Sequence, residues 1–210
     1  MMNKILIGCD FSINKPAACI YKDNEYIFIA WPYGFKDDLK ELYRENGVTI
    51  IDRIDDKIKG DTSSEKMRYQ VENARYMSKL IRDSIKPYVN SNTYLGFEGL
   101  SYGSTGDVVI QLGGYKYMLM NELMQDMPLD HIFTYSPISI KGIAGCGKRG
   151  MTKANMIDSF IENGPECKFK TALKNNELFK TKKAKNWIPL VDDFIDAYFT
   201  LKTLEAKEKL

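Results

Sequence analysis

Four acids in this chain stand where an acid is expensive. Asp10 closes the apolar run Ile5-Leu6-Ile7-Gly8-Cys9, and Glu98 closes Tyr94-Leu95-Gly96-Phe97. A carboxylate at the end of a buried apolar run needs a proton, a partner or a cation. Asp193 and Asp196 lie three apart in a third apolar stretch, which puts both on one helix face, a turn apart. Asp192 points about 100° away from Asp193 at roughly 3.6 residues per turn. Carboxylates gathered from separate segments suit hard divalent cations, because Mg2+ prefers oxygen donors and keeps waters that phosphate oxygens can replace. Two such ions about 4 Å apart activate a water and steady the leaving oxygen of a cut phosphodiester, with no histidine or serine nucleophile. Singly, each acid has an ordinary reading: Asp10 and Glu98 as turn caps, Asp193 and Asp196 as acids of a helix's first turn. Their combination favours the metal.

The elements that must bring these acids together can be read from periodicity. Residues 4–10, 17–21 and 25–31 are strand-like, separated by the turn residues Asn14-Lys15-Pro16 and Lys22-Asp23-Asn24, so the chain opens as an antiparallel meander. Residues 93–98 and 132–135 supply two further strands. Residues 35–45 read as a short helix ending at Asn46-Gly47, followed by strand-like residues 48–54. A long helix over 65–86 is capped by Thr62-Ser63-Ser64 and stopped by Pro87. A helix over 107–127, capped by Asp107, is apolar around most of its circumference and is expected to be buried on more than one side. Gly113-Gly114 in its middle calls for another backbone packed closely there. Residues 137–151 read as a glycine-rich basic loop. Thr152 opens a helix to about 161, and 187–207 form the last helix.

Bulk properties narrow the class. The chain has 210 residues, 44% hydrophobic and 12% aromatic, which is enough for one cored domain over 1–210 and argues against global disorder. No apolar run is long enough to span a bilayer, and the first residues lack a signal peptide's pattern, so a cytoplasmic protein is expected. Cys9, Cys19, Cys146 and Cys167 form no metal-binding spacing and His131 is the single histidine, which excludes a Cys/His zinc site and leaves free thiols. Net charge is +2, so the chain as a whole makes no case for nucleic acid. Lysines are concentrated between Lys168 and Lys185, where Glu177 is the one acid; such a stripe serves phosphate contacts or is a solvated face.

At this point the motifs resemble the RuvC family of Holliday-junction resolvases, particularly its divergent phage- and virus-type members. Ile7-Gly8-Cys9-Asp10-Phe11-Ser12 is similar to the family's first-strand motif, Phe97-Glu98-Gly99-Leu100 to its second, and Val191-Asp192-Asp193-Phe194-Ile195-Asp196-Ala197 to its terminal D-x-x-D-A helix. The resemblance implies an α/β, RNase H-like fold with a five-stranded mixed sheet flanked by helices, and leaves an inserted α/β segment near residues 33–62. It implies that Asp10, Glu98, Asp193 and Asp196 hold two Mg2+ (Mn2+ as substitute), with Lys153 offsetting charge that develops on the scissile phosphate. Lys141, Lys148, Arg149, Tyr102, Lys182 and Lys183 become DNA contacts, Tyr102 by stacking on an unpaired base. It further implies branched DNA as substrate, four-way junctions above all, and a homodimer through the helix near 107–127; a viral member would act in a bacterial host's cytoplasm. Ser12 stands where bacterial members have glycine, and 164–186 is longer than theirs. Three rivals share features: nucleases of flaps, forks or R-loops; a non-catalytic nucleic-acid-binding module; and an actin-like ATPase, whose glycine-rich loop is missing after Asp10.

Overall fold

The structure, a computed structural model, describes residues 3–54, 62–99, 106–148, 151–175, 177–181 and 187–210, apart from the side chain of Val108. Strands β1 (Ile5–Asp10), β2 (Ala17–Lys22) and β3 (Glu25–Ala30) form the expected antiparallel meander. Asp23 and Asn24 make the second turn with φ of 51° and 66°, a left-handed pair that suits a two-residue hairpin and that these short polar side chains tolerate. Helix α1 (Asp37–Glu45) and strand β4 (Val48–Ile50) follow, then α2 (Ser63–Ile85), β5 (Thr93–Glu98), α3 (Asp107–Leu123) and β6 (Ile132–Tyr135). Helices α4 (Pro137–Ile143), α5 (Lys153–Asn163), α6 (Lys168–Asn175) and α7 (Val191–Lys207) complete the chain.

The sheet order is β4-β3-β2-β1-β5-β6, with β5 parallel to β1 and β6 parallel to β5. Among the described residues it has six strands where five were expected, because β4, in the stretch read from the sequence as an insertion, pairs in parallel with β3 and extends the edge. Alternation along β1 sends Leu6 into one core and Ile5, Ile7 and Cys9 into the other. The first core is covered by α1 and α4 to α7, the second by α2 and α3.

Local chemistry explains several boundaries. Thr62 and Glu65 close a capping box at the start of α2. The expected loop over 137–151 contains α4 instead: the Ser139 N–H donates to Ser136 Oγ at 3.3 Å, and Pro137 takes the first helical position, where its missing N–H costs nothing. Asp107 is the first residue of α3 and not its cap; Gly106, at φ 80°, occupies that place. Helix α3 stops at Leu123 and buries Tyr115, Leu119 and Leu123, while Ile110 and Tyr117 are 74% and 71% exposed, so it is covered on one side and open on the other. Among the described residues, a Cβ at Gly114 would meet nothing within 4 Å, so that glycine is open, while Gly113 beside it is buried. The lysine-rich stretch is not one solvated row. Phe169, Ala172 and Leu173 of α6 are buried, and the buried Lys170 donates to the Gly164 carbonyl (2.6 Å) and pairs with Glu166 (2.8 Å). Helix α7 begins at Val191 rather than 187, since Trp187 bridges to Lys180. Among the described residues, no helix is long and apolar enough to cross a membrane.

Candidate metal centre

Asp10 and Glu98 end adjacent parallel strands whose last paired residues are Cys9 and Phe97, so the two carboxylates leave the sheet side by side. Helix α7 lies directly over β1. A Cβ at Gly8 would stand 2.2 Å from the Ala197 carbonyl oxygen and 2.4 Å from the Leu201 nitrogen, so only glycine lets the helix backbone come this near. That approach delivers Asp196, and carboxylate oxygens of Asp10, Glu98 and Asp196 all lie within 4.8 Å of one another. Asp193, one turn earlier on the same face, is also buried.

The cluster is electrostatically uncomfortable. Burial, followed by the charges of Asp196, Asp193 and Glu98, holds the Asp10 carboxyl well above the usual range. Burial first and then Asp196 raise Glu98, against the pull of Lys153. Asp196 is raised by burial, against the pull of Lys153. Burial and the neighbouring Asp192 push Asp193 up to about 6, and its buried Oδ2 finds no hydrogen-bond donor among the described residues.

Cations ring the acids. Lys153, first residue of α5, places its ammonium 3.0 Å from both Asp192 and Asp196. Burial works against that charge, yet the two carboxylates hold the ammonium firmly protonated. Lys141, in the last turn of α4, is near enough for its charge to lower both Glu98 and Asp196. Lys148 is exposed. Tyr102, Arg149, Lys182 and Lys183 lie outside the described residues.

Three side chains here were not singled out from the sequence as part of the site. Lys15, in the β1–β2 turn, sits 3.6 Å from Asp193 Oδ2; the turn is pinned by Lys15 N–H to Ser12 Oγ (3.0 Å) and Tyr33 N–H to the Asn14 carbonyl (2.8 Å). Asp192, four residues before Asp196 and so on the same side of α7, shares Lys153 with it. Lys116 of α3 lies behind Glu98 and donates to its carbonyl at 2.8 Å. The sequence signal for Lys116 was a lone charge within an apolar helical stretch; Lys15 carried none beyond its turn.

The donor set fits a divalent cation. It is all oxygen, it contains a buried carboxylate oxygen that accepts no hydrogen bond from the described residues, and its acids are raised by burial and then by one another's charge. Mg2+ or Mn2+ matches that chemistry, whereas the thiols of Cys9 and Cys19 are buried and pushed well above their usual range.

No family model matches the sequence, and no curated protein matches it. Solved structures do. A Thermus thermophilus RuvC structure aligns with a TM-score of 0.52 at 8% identity, covering 98% of this chain and 96% of that one. T. thermophilus RuvC in complex with Holliday junction substrate aligns with a TM-score of 0.51, also at 8% identity and the same coverage. The chain therefore has a RuvC-like fold of the RNase H-like type, with one further strand at the edge of its sheet.

Proposed function

We propose that this protein is a metal-dependent, structure-specific endodeoxyribonuclease that cuts branched DNA, four-way junctions foremost, by phosphodiester hydrolysis. The convergence of Asp10, Glu98 and Asp196 carries the reading, on a fold it shares with a RuvC solved on Holliday junction substrate. Asp10, Glu98, Asp193 and Asp196 hold the cations, two in the full site. Mg2+ or Mn2+, when bound, supplies Lewis-acid chemistry to the phosphoryl group and to water.

The chain's own groups supply the rest. Lys153 carries a protonated ammonium at the start of a helix, where free backbone amides add to its attraction for phosphate. Its second partner, Asp192 at 3.0 Å, would keep it in place if Asp196 held a cation, where it would offset the charge that develops on the phosphate. Lys141, whose charge reaches Glu98 and Asp196, binds the DNA backbone, and so does the exposed Lys148. Arg149, Tyr102, Lys182 and Lys183 extend that DNA contact. A four-way junction has two-fold symmetry, so paired nicks call for two active sites; the open face of α3, with Ile110 and Tyr117, forms the homodimer contact. The setting is a cytoplasm, that of a bacterial host for a phage-type member.

Labelled four-way junction, fork, flap, R-loop and linear duplex, each incubated with and without Mg2+, test the reading. Junction is cut in symmetric pairs only with metal, and Asp10→Asn binds junction but leaves it whole. Cleavage by Asp10→Asn at the wild-type rate removes the assignment, and preferential cutting of flaps, forks or R-loops reassigns the substrate.

A further inference from the structure

Lys116 is 7% exposed, on the side of α3 that faces the sheet. Its Nζ stands 5.1 Å from the centre of the Phe97 ring and donates to the Glu98 carbonyl at 2.8 Å. The other end of the same peptide unit is held as well, since the Gly99 N–H donates to the Tyr135 carbonyl at 2.7 Å. The C=O and N–H of a trans peptide point in opposite directions, so this plane is gripped between α3 on one side and β6 on the other. Its orientation fixes the backbone from which the Glu98 carboxylate projects.

A lysine is a costly way to satisfy one carbonyl. A buried ammonium loses its hydration, and burial lowers its pKa here. The other buried lysine among the described residues, Lys170, is compensated by Glu166 at 2.8 Å, whereas no described carboxylate comes within ion-pair distance of Lys116. What Lys116 has instead is a place behind Glu98, whose charge reaches it, and a length that spans the gap from helix to strand.

We propose that Lys116 is a positioning residue of the metal centre, which clamps the Glu98–Gly99 peptide to α3 and so sets the site's affinity for divalent cation. The proposal rests on the reading of Glu98 as a metal ligand. Groups that orient metal ligands typically change affinity by about 10- to 100-fold when removed.

The test titrates Mn2+ into purified protein, following free Mn2+ by electron paramagnetic resonance, beside thermal unfolding in EDTA. Lys116→Met keeps the side chain's length and removes the donor; it is expected to weaken Mn2+ at least about tenfold, and Lys116→Arg, which keeps a donor, to recover most of that. Lys170→Met is the matched control for a buried lysine on a carbonyl: it loses stability and leaves Mn2+ affinity as it was. Folded Lys116→Met that binds Mn2+ like the wild type overturns the proposal and leaves the metal centre standing. Wild type that binds no Mn2+ overturns the metal reading itself, and this proposal with it. If Lys116→Met does not fold, Lys116→Gln, too short to reach the carbonyl, carries the same comparison with the same two outcomes.

Discussion

Asp10→Asn should make the metal-free protein more stable, although it removes a central residue of the site. Asp10 faces Glu98 and Asp196 with oxygens within 4.8 Å. Two unit charges at that separation repel by roughly 3–4 kcal/mol at an effective dielectric of about 20. The folded protein escapes much of this by taking up protons, since burial and mutual repulsion raise Asp10 and Glu98 alike, and by drawing Lys153 to 3.0 Å from Asp196. What remains is the cost of the charges still carried in a buried site. For Asp193, moved from 3.8 to about 6, that cost is about 3 kcal/mol at 1.36 per unit. A carboxamide at position 10 carries no charge, so about 2 kcal/mol should return. For a chain of this size that is roughly 4–8 °C in Tm. Thermal unfolding at pH 7.5 in EDTA measures it, with the exposed Glu72→Gln as control for net charge. Saturating Mg2+ should then raise the wild type's Tm and leave Asp10→Asn almost unmoved. A variant that melts lower than wild type in EDTA, or gains as much from Mg2+, refutes the account of a repulsive cation site.

Other perturbations follow from the same geometry. Gly8→Ala places a methyl 2.2 Å from the Ala197 carbonyl oxygen, so α7 must lift; a loss of about 3 kcal/mol or more in denaturant unfolding is expected, with weakened Mn2+ binding, and an unchanged midpoint would refute the close approach. The carboxylates are raised, so the metal-free fold prefers them protonated. Stability therefore falls as pH climbs through about 4 to 6 and recovers on acidification from 7.5 to 5, by about 1–2 kcal/mol for Asp193 alone. Mg2+ should flatten that slope, as Tm against pH would show, and equal slopes with and without Mg2+ would count against it. Ile110→Asp with Tyr117→Asp touches only exposed side chains and should convert a dimer to a folded monomer in sedimentation; wild type that is already monomeric removes the α3 interface. Tyr43→Phe deletes a hydrogen bond to the Pro189 carbonyl (2.6 Å) and should cost about 1 kcal/mol in chemical unfolding.

Much of this was legible because the acids interrupt apolar runs. Asp10 and Glu98 announce themselves as strand-ending carboxylates, and the spacing of Asp193 and Asp196 gives their shared face. The meander and the five strands from β1 to β3, β5 and β6 come from alternation and turn chemistry. Other features depend on contacts that sequence spacing does not encode. Nothing in Val48–Ile50 says that it will pair with β3 rather than lie across the surface. The part of Gly8 is visible only once α7 lies over it. Lysine spacing suggested a stripe, but Lys170 turns inward because Gly164 and Glu166 offer it partners. Helix α3 reads as apolar all round, and one chain covers only one of its sides.

The turn that leads into α7 works as an index stop. Leu190 is fully buried in left-handed backbone at φ 82°, a conformation that costs a β-carbon residue about 1–3 kcal/mol and persists only where the surroundings enforce it. The enforcement comes from α1: Tyr43 donates to the preceding carbonyl and packs its ring 5.7 Å from Phe194 and 5.3 Å from Phe179. Sliding the helix start by one residue would turn every side chain after it by about 100° and swing Asp193 and Asp196 off the pocket. What looks in the sequence like an appendage between strand and helix is thus the reference against which the last two acids are aligned, and trimming it away would release their alignment along with it.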